Sequence, residues 1–204
     1  MHEKNTLSKL VILCLLAELL NIIGAAICET AHLPLFLDTI GTVLIVFYAG
    51  LVPGLIVAAC YNILWVQLLL LITHASVHPW DMLYAICGLV ITVTTWLFSC
   101  DKENFRSGRF IAVLYLMLIA LVSAFASSIT GGLIETGIRI HFQEQHTMKA
   151  LEQFVRAFLG ENLGLFAACV IARVPITVLD RIICTFAGFG LYLLLHRMEK
   201  RHVI

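Results

Sequence analysis

The chain has 204 residues, of which 61% are hydrophobic and 13% charged, and its mean hydropathy is +0.98. Soluble domains carry about 25% charged residues, so this composition excludes a soluble globular enzyme and a disordered chain. Lysine plus arginine equals aspartate plus glutamate, 13 each, which excludes the basic surface of a nucleic-acid-binding domain.

What remains is an all-α membrane protein. A helix needs about 20 apolar residues to cross a bilayer core about 30 Å thick. In chain order the sequence predicts spans near Leu10–Ile27, Leu33–Leu51, Leu55–Ile72, Met82–Ser99, Phe110–Ile129 and Ile176–His196, giving one integral domain with six transmembrane helices. The first stretch is long and contains Glu18 and Asn21, and the residue before Cys28 is Ile27 rather than a small one, so it reads as an uncleaved helix. Turn signals separate the spans at His32-Leu33-Pro34, Gly50-Leu51-Val52-Pro53-Gly54, His78-Pro79-Trp80 and the polar stretch Asp101 to Arg109. Between Glu135 and Arg156 the chain is polar and mixed in charge. It then turns apolar from Leu163 to Ala172, too briefly to span. This region reads as an amphipathic or re-entrant segment before the last helix, with Pro175 in that helix's first turn.

Cationic residues favour the cytoplasmic side. Lys4, Lys9, Lys102, Arg106, Arg109, Arg197, Lys200 and Arg201 all fall on one side of a six-span arrangement. Both termini are therefore expected to be cytoplasmic. The seven cysteines form no CxxC and mostly sit in apolar runs, where they read as small buried hydrophobes.

Ionisable groups inside the hydrocarbon need a partner or a water-filled cavity. Glu18 and Asn21 lie in the first span, Asp38, Thr39 and Thr42 in the second, and Asn62 and Gln67 in the third. Ser123, Ser127 and Thr130 share one face of the fifth, and Asp180 and Arg181 lie in the sixth. In the six-span arrangement Asp38 and Arg181 lie about 7–8 Å below the outer surface. Ser127, Thr130 and Tyr84 are at a similar level, just after Trp80. Polar groups confined to one outer third describe a pocket that opens outward rather than a pore. The competing structural readings are interhelical glue for the hydroxyls, a purely structural ion pair for Asp38 and Arg181, and an interfacial anchor for Trp80.

The segment Leu33-Pro34-Leu35-Phe36-Leu37-Asp38-Thr39-Ile40-Gly41-Thr42-Val43, followed by Tyr48-Ala49-Gly50-Leu51-Val52-Pro53-Gly54 and Tyr61-Asn62, resembles the substrate-binding membrane subunit (S component) of energy-coupling factor vitamin transporters. Val178-Leu179-Asp180-Arg181-Ile182-Ile183 is similar to that family's last helix. The resemblance implies capture of a vitamin or other small micronutrient from outside, without chemistry or cofactor, in the plasma membrane of a prokaryote. It implies membrane lipid, a transmembrane coupling subunit and ATPase subunits as partners, and no nucleic acid. Asp38, Thr39, Thr42, Tyr84, Ser127, Thr130 and Arg181 would then line or brace the pocket, with Trp80 and Glu135 at its mouth. A fixed arginine suits a carboxylate or phosphate, which points to an anionic or zwitterionic cargo. One departure is the series Ala17, Asn21, Ala25, where the family often has alanines four apart for docking. A ligand-sensing or regulatory membrane protein with the same fold is the alternative expectation.

Other constellations are weaker. Glu135-x-x-x-Arg139 and Phe142-x-x-x-His146 resemble fragments of intramembrane prenyl-protease motifs, but they fall in what reads as one polar loop. His74 and His78 have a metal-ligand spacing, yet Pro79 disfavours helix at His78, and loop histidines are the simpler reading. There is no phosphate-binding glycine loop and no nucleophile elbow, so neither ATP binding nor an enzyme is expected, and no metal site.

Overall fold

A computed structural model describes residues 2–73, 79–100, 105, 108–142 and 149–202. Helices are α1 (His2–Thr30), α2 (Ile40–Ala49), α3 (Leu51–Thr73), α4 (Ala85–Ser99), α5 (Arg109–Phe142), α6 (Lys149–Gly160) and α7 (Leu165–His202), with a 3-10 turn at Pro79–Tyr84. No strand occurs among the described residues. His74 and His78, and the expected loop histidine His146, lie outside the described residues.

Burial is inverted relative to a soluble protein. Glu18, Asn21, Glu135, Arg173, Asp180 and Arg181 are buried, whereas Leu15, Leu16, Phe110, Leu133 and Leu194 are more than half exposed. Water would not support that distribution, but lipid would. Four helical stretches among the described residues are long and apolar enough to cross a membrane: Leu7–Thr30, Trp80–Ser99, Arg109–Phe142 and Leu165–Lys200. Ile40–Ala49 and Leu51–Leu64 are shorter apolar stretches.

The expected second span is not a continuous helix. Residues 33–39 are non-helical, and only Ile40–Ala49 coils. Asp38 and Thr39 therefore stand on irregular backbone rather than on a helix. This segment runs antiparallel to α1. The Leu33 amide donates to the Cys28 carbonyl at 2.9 Å. Leu37 then lies against Gly24 and Gly41 against Ala17, so close that a Cβ on Gly24 or Gly41 would meet the Leu37 or Ala17 carbonyl oxygen at 2.2 or 2.0 Å. From Cys28 to Ala17 this descent covers about 17 Å along α1, and α2 adds a further 15 Å or so.

Two more boundaries differ from expectation. The fifth helix runs 34 residues, to Phe142, so Glu135 and Arg139 belong to a helix and not to a polar loop. The last helix begins at Leu165 and runs 38 residues, with Pro175 inside it rather than in its first turn. The short apolar run Leu163–Ala172 is mostly its first two turns. The expected amphipathic segment is α6, which buries Leu151 and Val155 against Ala168, Cys169 and Ala172 of α7 while Gln153, Arg156 and Ala157 face out. At the other end of the bundle Phe47, Leu116, Ile119 and Phe189 form an aromatic-rich core.

Candidate functional site

Most of the buried charged residues gather into two centres, both joined to α7. The inner centre is built on Arg181, whose side chain is 2% exposed. Its guanidinium donates to the Thr39 hydroxyl, to Asp180 Oδ2 and, at 3.2 Å, to Asp38 Oδ1. Asp180 in turn accepts the backbone amides of Phe36 and Leu37 at 2.9 and 2.7 Å through Oδ1. Leu37 has φ +47°, a left-handed conformation that a non-glycine residue adopts only when its surroundings impose it. Here the imposed conformation turns two adjacent amides toward one carboxylate oxygen. Irregular backbone at membrane depth persists where it is buried in protein and satisfied, and Asp180 supplies that satisfaction.

Thr42 belongs to a neighbouring bond set. Asn21 Nδ2 donates to the Thr42 hydroxyl at 3.0 Å, and Asn21 Oδ1 accepts the Gly41 amide at 2.7 Å. Gly41 is the second residue of α2, so its amide has no partner within the helix. Asn21 thus caps α2 from α1, and Thr42 is engaged there rather than at Arg181.

The outer centre is an ion-pair ladder. Arg173 donates through Nε and a terminal nitrogen to Glu135 Oε2 at 3.0 and 2.8 Å, and to the Tyr84 hydroxyl at 2.9 Å. Its guanidinium carbon also lies 5.0 Å from the Tyr84 ring centre. The other oxygen of Glu135 accepts from Arg139 at 2.7 Å, Arg139 reaches Glu152 of α6 at 2.5 Å, and Glu152 pairs with Arg156 at 2.7 Å. Side-chain exposure stays between 2% and 12% from Arg173 to Glu152 and reaches 60% only at Arg156. Burial opposes ionisation of Glu152, but the hydrogen bonds from Arg139 and Arg156 outweigh it and hold its carboxyl below the usual 4.5.

The expected single pocket is therefore divided. Asp38, Thr39 and Arg181 come together; Tyr84 and Glu135 come together elsewhere; Thr42 pairs with Asn21. Ser127 and Thr130 join neither. Ser127 donates to the Ala124 carbonyl at 3.2 Å and Thr130 to the Ala126 carbonyl at 2.9 Å, bonds within their own helix. Trp80 stacks on Phe142 with ring centres 3.8 Å apart. Glu135 is 2% exposed and sits in the ladder, not at a mouth. Sequence reading missed Arg173, Glu152 and the structural role of Asp180. The signal for Arg173 was available, since it lies two helical turns before Arg181 on α7.

Among the described residues no three His, Cys, Asp or Glu side chains converge closely enough to hold a metal ion. Compared with protein-family models, curated proteins and solved structures, the chain matches none.

Proposed function

We propose that the chain is the substrate-capturing membrane subunit of an ATP-driven importer of the energy-coupling factor type, taking a vitamin or other small micronutrient from outside. One observation carries this reading. Arg181 is held by Asp38 and Thr39 on a non-helical stretch that descends alongside α1. Ionisable groups that meet interrupted backbone inside a helical bundle are the usual construction of a membrane binding site. In this proposal the 33–49 segment makes the second of six crossings as a half-extended, half-helical pass. Both termini are cytoplasmic, the chain lies in the plasma membrane of a prokaryote, and it carries no catalytic residue. A coupling subunit and ATPase subunits supply the energy.

A ligand-sensing membrane protein of the same architecture is the second reading, and a specific observation favours it. Ala17, Asn21 and Ala25 of α1 are all buried inside the chain, with Ala17 against Gly41. Gly54 faces Val46 and Thr92, and Ala58 faces Gly88. Both small-residue series are thus used for internal packing, and neither is left to dock a coupling subunit.

Mass spectrometry of small molecules retained after gentle detergent purification tests the capture reading, with Asp38→Ala as the blank. A stoichiometric micronutrient present only in the unmodified protein is the expected result. A folded but empty protein would count against it. Co-purification of ATPase subunits separates importer from sensor.

A further inference from the structure

One donor of the inner centre is left over. The terminal nitrogens of Arg181 serve Thr39, Asp38 and Asp180. Its Nε meets no acceptor, and among the described residues it is the only buried side-chain nitrogen of which that is true. A guanidinium is planar, so its Nε–H points along the same edge as one N–H of Nη2. Nη2 is the nitrogen that reaches both acids, which sets the leftover donor next to them. The neighbouring backbone does not supply the missing acceptor, because the Asp180 carboxylate turns amides, those of Phe36 and Leu37, toward the centre. Of the three charged groups, Asp38 alone is substantially accessible, with a side chain 25% exposed against 0% for Asp180 and 2% for Arg181.

A buried donor without an acceptor is costly, and more so in a low-dielectric core. Charge narrows what can complete it. A cation has nothing with which to accept the Nε hydrogen. An anion would accept it, but Asp38 and Asp180 already outnumber Arg181, and a further carboxylate on that edge would face both of them. A neutral acceptor with a donor at its side suits both neighbours. We infer that the captured molecule presents an uncharged amide edge, a carbonyl beside an N–H as in a ring amide, a ureide or a carboxamide. The carbonyl accepts from Arg181 Nε and the N–H donates to Asp38. This rests on the capture reading above and replaces the anionic or zwitterionic cargo that an arginine alone suggests. Nε is covered and Asp38 is not, so the N–H meets Asp38 first and the carbonyl reaches Nε as the side chains over it move aside.

Four probes that share one ring test it: benzamide, N,N-dimethylbenzamide, benzoate and phenylglycine, each added to the detergent-purified full chain at equal ionic strength. Benzamide carries the carbonyl and the N–H, the dimethyl form the carbonyl alone, benzoate a negative charge and phenylglycine both charges. Benzamide should raise the melting temperature by a few degrees at saturation, and the other three should not. Asp38→Asn should weaken benzamide binding at least about tenfold. Arg181→Lys keeps the cation and removes Nε–H, so it should lose the benzamide shift; if that variant fails to fold, the probe comparison and Asp38→Asn decide. An equal shift from the dimethyl form, benzoate or phenylglycine, or no shift from benzamide, would each overturn the inference. The chemistry of any molecule retained through purification gives a readout that needs no variant. A retained molecule without an amide edge overturns this assignment and leaves the capture reading standing, whereas an empty protein counts against capture itself.

Discussion

Asp180 Oδ1 accepts the Leu37 amide at 2.7 Å across a sequence separation of 143 residues, tying the last helix to the irregular 33–39 stretch beside α1. The same carboxylate accepts the Phe36 amide and, through Oδ2, the Arg181 guanidinium. Asp180 is therefore the structural acid of the inner centre, and Asp38, a quarter exposed, is the accessible one.

That division predicts opposite phenotypes for two aspartates. Asp180→Ala leaves two amides and a buried arginine without their acceptor, a loss of about 3–5 kcal/mol by the usual cost of breaking a buried ion pair. It should collapse the melting transition in detergent. Asp38→Ala should stay folded and lose the retained small molecule. If both variants melt like the unmodified protein, Asp180 does not hold the segment in place.

The hydroxyls of α5 give a contrasting expectation. Ser123, Ser127 and Thr130 each donate to a carbonyl of their own helix. Such bonds are made and kept locally, so Ser123→Ala, Ser127→Ala and Thr130→Val should each change stability by no more than about 1 kcal/mol. Retention of the small molecule should be unchanged. A loss at Ser127 comparable with that at Asp38 would return it to the pocket.

These contrasts also show what was legible in the sequence. The i, i+4, i+7 spacing of Ser123, Ser127 and Thr130 is the same whether the hydroxyls face a ligand or their own backbone, so spacing could not separate the two. The apolar run Leu33–Leu51 reads as a helix because what interrupts it is a carboxylate far along the chain, at Asp180. Glu135 and Arg139 look like loop residues because they are charged. They are helical because Arg173 and Glu152, on two other helices, pair with them. Pro175 suggests a helix start, yet it sits on the exposed face of a helix that began at Leu165, nearly three turns earlier. What could be read was the composition, the membrane class, the amphipathic α6 and the meeting of Asp38 with Arg181. Those depend on residue type and periodicity more than on remote partners.

The ladder from α5 to α6 should respond to acid. Glu152 has its folded-state carboxyl held below the usual 4.5 by Arg139 and Arg156. A lowered value means that its contribution is complete above the ordinary carboxyl range and is lost as pH falls through the folded value. Protection of α6 amides from hydrogen exchange, taken relative to the intrinsic rate at each pH, should therefore hold down to about pH 5 and fall below 4.5. Glu152→Gln should exchange faster at neutral pH and flatten the dependence. An unchanged acid response in Glu152→Gln would assign the transition to another carboxyl.

Two glycines should behave oppositely when given the same methyl group. A Cβ on Gly41 would lie 2.0 Å from the Ala17 carbonyl oxygen, and the clash is with backbone, so α1 and α2 would have to separate. The Asn21 bonds to Gly41 and Thr42 span that contact and would be broken by the separation. Gly137, in α5, has nothing within 4 Å of its would-be Cβ. Its replacement removes the helix penalty of glycine, a gain of about 0.5–1 kcal/mol. Gly41→Ala should therefore express poorly or melt early, and Gly137→Ala should melt at or above the unmodified protein. If Gly41→Ala melts normally, the segment does not descend against α1, and the meeting of Asp38 with Arg181 loses the packing that sets its depth.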